Sequence, residues 1–171
     1  MVDNAIEPFE LLEKGRTDVI FAAKQAGFSC DWTPLCQDAM YAILPPDYPL
    51  DGQETFPIEA FEGKEFLMPY GKFDLDVKAA LSANNVKPKI RPCHVDDETV
   101  IRMVGKGLGL SMMAEMMIRG RTNGVTAVPI EPATGRELGM GLHMRESMPD
   151  GILRLRECVL AFIGTLPGTE S

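Results

Sequence analysis

Four cysteines and two histidines are the side chains in this 171-residue chain best suited to nucleophilic or metal chemistry. Cys30, Cys36, Cys93 and Cys158 include no C-x-x-C pair, and only His94 and His143 could join them as metal ligands. The thiols read as small apolar groups buried in a protein of a reducing compartment. Cys93 and His94 are neighbours, which suggests a nucleophile beside its base. Adjacent residues on an extended strand point to opposite faces, however, and that separates them. The stretch GKGLG (105–109) has the glycine spacing of a phosphate loop. Such loops need a strand before the glycines and a helix after them, so that free N–H groups face the anion. Here a helix leads in and a strand leads out, so the glycines read as a helix end with Gly107 left-handed.

The acids cluster as Asp96, Asp97 and Glu98, and as Asp74 and Asp76. Both groups stand at expected helix starts, where capping and the helix dipole account for them without catalysis. No Ser-His-Asp order, G-x-S-x-G elbow, H-E-x-x-H pair or P-loop is present. No catalytic set, metal site or cofactor is therefore expected. The two helix starts, Phe73-Asp74 and Asp96–Thr99, each follow an expected strand. In open α/β sheets, ligands bind in the crevice beside such positions. The loop Pro69, Tyr70, Gly71, Lys72, Phe73 supplies an aromatic ring, a flexible backbone and one cation, a mixture suited to a small organic ligand.

Composition narrows the classes further. With 45% hydrophobic residues the chain can build an ordinary globular core of one domain or two small lobes. A net charge of −8, with scattered Lys and Arg, leaves no basic face for nucleic acid. No run of 18 apolar residues spans a membrane, and the acidic start MVDNAIEPFELLEKG does not read as a signal peptide. A cytoplasmic location is expected.

The elements that must hold these residues alternate strand and helix, which predicts an α/β fold with a mostly parallel sheet. Helices are expected at 5–14, 73–85, 96–107, 114–121 and 150–166, with a single helical turn near 57–63. Strands are expected at 18–23, 39–45, 65–70, 89–95, 108–113, 125–130 and 136–144. A polar loop with Gly27 and Trp32 is expected to lead to Pro34-Leu35. The helix at 96–107 is capped by Asp96 or Asp97 and buries Val100, Ile101, Val104 and Leu108. The closing helix buries Ile152, Leu155, Val159, Phe162, Ile163 and Leu166 along one face. Met112, Met113, Met116 and Met117 read as core packing. Pro92 places 89–95 at a sheet edge, and 125–130 reads as an edge strand.

Taken in order, four stretches resemble the effector-binding domain of LysR-type transcriptional regulators. They are ELLEKGRTDVIF (10–21), PLCQDAMYAILPPDYPL (34–50), VDDETVIRMVGKGLGLSMMAEMM (95–117) and VPIEPATGRELGMGLHM (128–144). Each alone is weakly specific; their order and spacing carry the resemblance over nearly the whole chain.

The resemblance implies a two-lobed fold of the type II periplasmic-binding-protein kind, with a small organic effector held between the lobes. Lobe one would comprise residues 1–37 and 139–171 and be incomplete, and lobe two would comprise 38–138. The family's effector contacts map to Asn4, Ala5, Tyr70, Gly71, Lys72, Phe73, Val95, Asp96, Asp97 and Thr99. Ala5 and Ala114 depart from the family pattern, which often has a hydroxyl residue at the first position and proline at the second. The family binds DNA through an N-terminal winged helix-turn-helix, which this sequence lacks, and its effector domain begins before Met1. A missing strand would leave a sheet edge open, so a homodimer or swapped oligomer is expected. The alternatives are a transporter's solute-binding protein, or an enzyme on the same fold.

Overall fold

The computed structural model describes residues 6–69, 74–145 and 148–165. It divides into a central unit, Asp38–Arg136 with residues 1–3, and a terminal unit, Asn4–Gln37 with Glu137–Ser171. The chain changes unit within two strands: β2 (Asp31–Leu44) outward and β8 (Gly135–Leu142) on return.

In the central unit β2 runs between β6 (Ser111–Ala114) and β7 (Thr126–Glu131), antiparallel to both, with Tyr41 opposite Met113 on one side and Pro129 on the other. The short β3 (Phe56–Pro57) adds parallel to β7, and β4 (Glu65–Pro69) pairs parallel with β5 (Lys89–Cys93). A parallel bridge between Phe66 and Leu110 brings β4 to the residues before β6. Ser111 is completely buried there, and its hydroxyl is satisfied by donating to the Leu67 carbonyl at 2.8 Å.

Alternation along the strands makes two cores, one on each face. Met40, Ala42 and Leu44 of β2, Phe66 and Met68 of β4 and Met112 of β6 join a cluster containing Phe56 and Phe61. The intervening Ile43, Leu67 and Met113 meet Val100, Ile101 and Val104 of α3 (Asp97–Gly105). A file of aromatic contacts runs Phe56–Phe61–Phe66, with centroids 4.7 and 5.2 Å apart. The helix α2 (Asp74–Ala83) completes the first cluster with Val77, Ala80 and Leu81, and the chain turns away from it at Asn85, whose φ is +57°.

The terminal unit is thinner. There β1 (Val19–Ala23) pairs antiparallel with β8, Val19 opposite Leu142, and β8 neighbours β2. Phe9 and Leu12 of α1 (Glu7–Glu13) pack with Ile20, while Phe28 and Trp32 lie 5.1 and 6.1 Å from the Phe9 ring. Gly139 is required beneath Trp32, because a Cβ there would stand 2.3 Å from the indole.

Several expectations are corrected. The pairing is mixed: in the six-stranded sheet β1 runs antiparallel to β8, and β6 and β7 antiparallel to β2, while β3 is parallel to β7; β4 and β5 form a separate parallel pair. The residues around Trp32 expected as a polar loop leading to Pro34-Leu35 are instead strand: 31–38, before the expected strand at 39–45, all belong to the 14-residue β2. The apolar residues interspersed with polar ones there reflect a strand buried on one face only. Leu108 leaves the α3 stripe and is 48% exposed, because Gly107 at φ +74° turns the chain away. The strand at 125–130 is flanked on both sides, by β2 and by β3. Helix α4 is a single turn, Glu115–Ile118, which leaves Met116 exposed while Met112 and Met113 are buried. Cys158 is exposed, and of the four thiols only Cys93 is buried.

The closing helix α5 (Asp150–Ile163) has no fully buried residue, and Phe162 is 63% exposed. Its half-buried positions Ile152, Arg156, Val159 and Ile163 follow helical spacing, and Arg156 reaches Asp31 at 3.1 Å. The apolar arc is wider than this contact face, so Leu155 and Phe162 fall on its exposed flank. Leu166 lies outside the described residues. Among the described residues no helix is long and apolar enough to cross a membrane.

Candidate functional site

The start of α3 is the best-defined part of the expected site. Asp96 is extended at φ −73°, ψ 166°, and its Oδ1 accepts the Thr99 N–H at 2.8 Å. This is an N-cap: it satisfies one of the donors that a helix start leaves without a partner. Hydrogen bonds from Thr99, the side chain first and then the backbone, hold the Asp96 carboxyl below its ordinary value. Asp97, the next residue, is shifted the opposite way. Burial raises it, with Asp96 adding to the effect and Arg121 and Arg136 opposing it. Two adjacent acids therefore differ in character: Asp96 is committed to the helix, and Asp97 is a half-buried carboxyl that is easier to protonate.

A second cluster in the central unit surrounds Arg136. Asp38, at the point where β2 enters the unit, has a side chain 1% exposed. Its Oδ1 accepts the Met116 N–H at 3.0 Å, and its Oδ2 receives Arg136 Nε at 3.0 Å and Nη2 at 2.9 Å. The same guanidinium sends Nη1 to Asp76 on α2 at 3.4 Å. Arg136 thus joins β2, β8 and the first turns of α2, and its charge is felt at Asp97. The remaining lone pairs and donors are largely satisfied, which a buried ion pair requires.

Of the ten expected contact residues, Asn4, Ala5, Tyr70, Gly71, Lys72 and Phe73 lie outside the described residues. Val95, Asp96, Asp97 and Thr99 are described and lie within five residues at the α3 start, with Val95 40% exposed. Sequence reasoning missed the Asp38–Arg136–Asp76 cluster. An acid at the head of the apolar run AMYAIL and an arginine opening RELGMGL were the available signals. Nothing in the sequence pairs residues so far apart.

The phosphate-loop reading of GKGLG fails geometrically as well. Gly105 belongs to α3, Gly107 reverses the chain, and Gly109 is needed where a Cβ would stand 2.8 Å from the Glu65 carbonyl oxygen. Among the described residues, no group of three or more His, Cys, Asp or Glu is placed to hold a metal.

Comparison with known proteins agrees with this geometry. The regulatory domain of Synechocystis CcmR, solved in complex with 2-PG, superposes with a TM-score of 0.81 at 16% identity, covering 96% of this chain and 82% of that one. The effector-binding domain of QuiR, in complex with shikimate, gives a TM-score of 0.77 at 12% identity, covering 95% and 79%. At these identities the likeness establishes the fold, which is the α/β, type II periplasmic-binding-protein-like architecture. In sequence, the HTH-type transcriptional regulator TtuA of Agrobacterium vitis is 24% identical over 143 residues, 80% of this chain and 47% of TtuA. The chain therefore spans about half the length of that curated relative. The family model for the LysR substrate binding domain matches residues 1–163, nearly every element from α1 to α5, and with the fold and the capped α3 start in place, the chain belongs to that family.

Proposed function

We propose that this chain is the sensing module of a LysR-type regulator, binding a small organic effector without turning it over. The observation that carries this reading is the α3 start, within a chain whose family is one of ligand-binding regulatory domains. Val95, Asp96, Asp97 and Thr99 stand together there, with a dipole end, a half-buried carboxyl and an exposed apolar side chain. Together with Asn4, Ala5, Tyr70, Gly71, Lys72 and Phe73 these residues form the proposed contact set. In this reading residues 1–37 and 139–171 act as one lobe and 38–138 as the other. The effector's differential affinity for two arrangements of the lobes supplies the signal.

DNA contact in the whole regulator is assigned to a separate winged helix-turn-helix outside these 171 residues, and the setting is cytoplasmic. A homodimer or swapped oligomer is part of the proposal. It is supported by the apolar side chains left exposed on α5, and by β1, which pairs only with β8 among the described strands.

Thermal-shift screening against small carboxylates, aromatic acids and amino acids tests the reading. Stabilisation by one class, with the compound recovered unchanged, is the expected result, and conversion of the compound would overturn it. Light scattering at micromolar concentration should give a mass above the monomer's.

A further inference from the structure

We infer that the turn joining α4 to β7 forms, with α3, an accessory site on the central unit for a small oxyanion, a phosphate- or carboxylate-bearing molecule. A groove of about 260 Å³ lies there, lined by Glu98, Ile101 and Arg102 of α3 and by Gly120, Arg121 and Asn123 of the turn. The turn is seated firmly on the helix: a Cβ on Gly105 would stand 2.6 Å from the Gly124 carbonyl oxygen. Gly120 at φ +74° and Gly124 at φ +82° bracket the turn, and Arg121 N–H is bonded back to the Ile118 carbonyl at 2.8 Å.

What remains at the groove is a surplus of donors. Among the described residues, the backbone N–H groups of Gly120, Thr122 and Asn123 meet no protein acceptor, and Arg121 has no carboxylate at ion-pair distance. Arg102 is held by Glu98 one turn before it on the same helix. Two guanidiniums thus face one carboxylate, beside the neutral donor of the Asn123 amide and over the apolar Ile101. A guanidinium's planar fork matches the paired oxygens of carboxylate or phosphate. A second groove of about 290 Å³ adjoins at Gly120 and includes Tyr41, Ile118 and Val125, which offers apolar surface to whatever carries the anion. Its own charges, Glu115 and Arg119, are paired with each other at 3.1 Å.

The site has a built-in link to the start of α3. Arg121 acts on both Asp96 and Asp97, lowering each. An anion on Arg121 offsets that pull, so its occupancy is felt at the α3 start whether or not an effector binds there. The inference therefore stands apart from the effector proposal.

Titration of the 15N-labelled chain with inorganic phosphate, and separately with malonate, at fixed ionic strength against chloride is the test. The expected result, with one of the two anions, is saturable shifts of the amides of 120–123 and the side chains of Arg102 and Arg121, with smaller shifts at Asp96 and Asp97 that saturate at the same concentration. Arg121→Gln should weaken the affinity about tenfold while leaving the rest of the spectrum unchanged, Arg121→Lys should recover part of it, and the exposed Arg91→Gln should not matter. Non-saturating shifts spread over all exposed arginines and lysines, or an Arg121→Gln variant that binds as well as the parent, would overturn the proposal.

Discussion

The carboxylate of Asp38 and the guanidinium of Arg136, 98 residues apart in sequence, are bonded through Nε at 3.0 Å and Nη2 at 2.9 Å. They are the first and last residues of the central unit's main segment. The pair closes that unit where the chain enters and leaves it, and the close approach is backbone-deep: a Cβ on Gly135 would stand 2.9 Å from the Asp38 carbonyl oxygen.

Breaking that pair from one side should be costly, because it strands a buried charge. Arg136→Ala is expected to lower unfolding free energy by about 3–5 kcal/mol, read as a fall in urea midpoint at unchanged slope. The double change Asp38→Leu with Arg136→Met removes both charges and should recover much of the loss, although the Met116 N–H then lacks its acceptor. A single variant as stable as the parent would show that solvent already screens the pair.

Asp96 and Asp97 should give opposite pH signatures. Asp96 is held below its ordinary value in the fold, so its contribution is present above the unfolded value and is lost as pH falls through the folded one. Asp97 is raised, so the folded state binds its proton more tightly than the unfolded chain does, and stability falls as pH rises through the window above its ordinary value. Asp96→Asn should therefore destabilise at neutral pH and Asp97→Asn should stabilise. Both differences should shrink as the carboxyls protonate below about pH 4. Denaturation midpoints measured from pH 3 to 7 decide it, and two variants shifting in the same direction would refute the assignment.

A cap at Asp96 or Asp97 was legible in the sequence because everything it needs lies within nine consecutive residues: the acid, the Thr99 N–H and the apolar spacing of Val100, Ile101 and Val104; the structure selects Asp96. Gly107 and Asn85 were legible as helix exits for the same local reason, and both adopt positive φ. The long β2 was not, because Asp31, Thr33 and Gln37 make its first half polar, and the partners of Asp31 and Asp38, Arg156 and Arg136, come from much later in the chain. Strand direction was also hidden, since the order of elements says nothing of which strands β2 meets. In the candidate site, the helix start that carries Val95, Asp96, Asp97 and Thr99 could be read from local pattern. The Arg136 network depends on three distant acids and emerges only in the fold.

Gly139 should be among the least tolerant positions of the terminal unit. Trp32 lies across it, donating its indole N–H to Glu137 at 2.8 Å, and Lys24 holds the same carboxylate at 3.2 Å. A methyl group there displaces a ring fixed from two sides, so Gly139→Ala is expected to cost about 1–3 kcal/mol. Tryptophan fluorescence should shift toward the solvent-exposed spectrum even before unfolding. Because Trp32 is the chain's sole tryptophan, the signal has one source.

The flank of α5 makes the reverse prediction, that large apolar residues can be changed with little loss. Leu160 is 44% and Phe162 63% exposed, and neither belongs to the half-buried row of Ile152, Arg156, Val159 and Ile163. Their removal takes away little buried area, so Leu160→Gln with Phe162→Gln should alter unfolding free energy by no more than about 0.5 kcal/mol per position. Exposed large apolar side chains do, however, favour association and dye binding. The same double variant should therefore lower 8-anilinonaphthalene-1-sulfonate fluorescence and reduce the mass seen in light scattering. If instead the urea midpoint falls as far as for a core substitution such as Val104→Ala, the helix packs more deeply on its own unit than the contacts along Ile152 to Ile163 indicate.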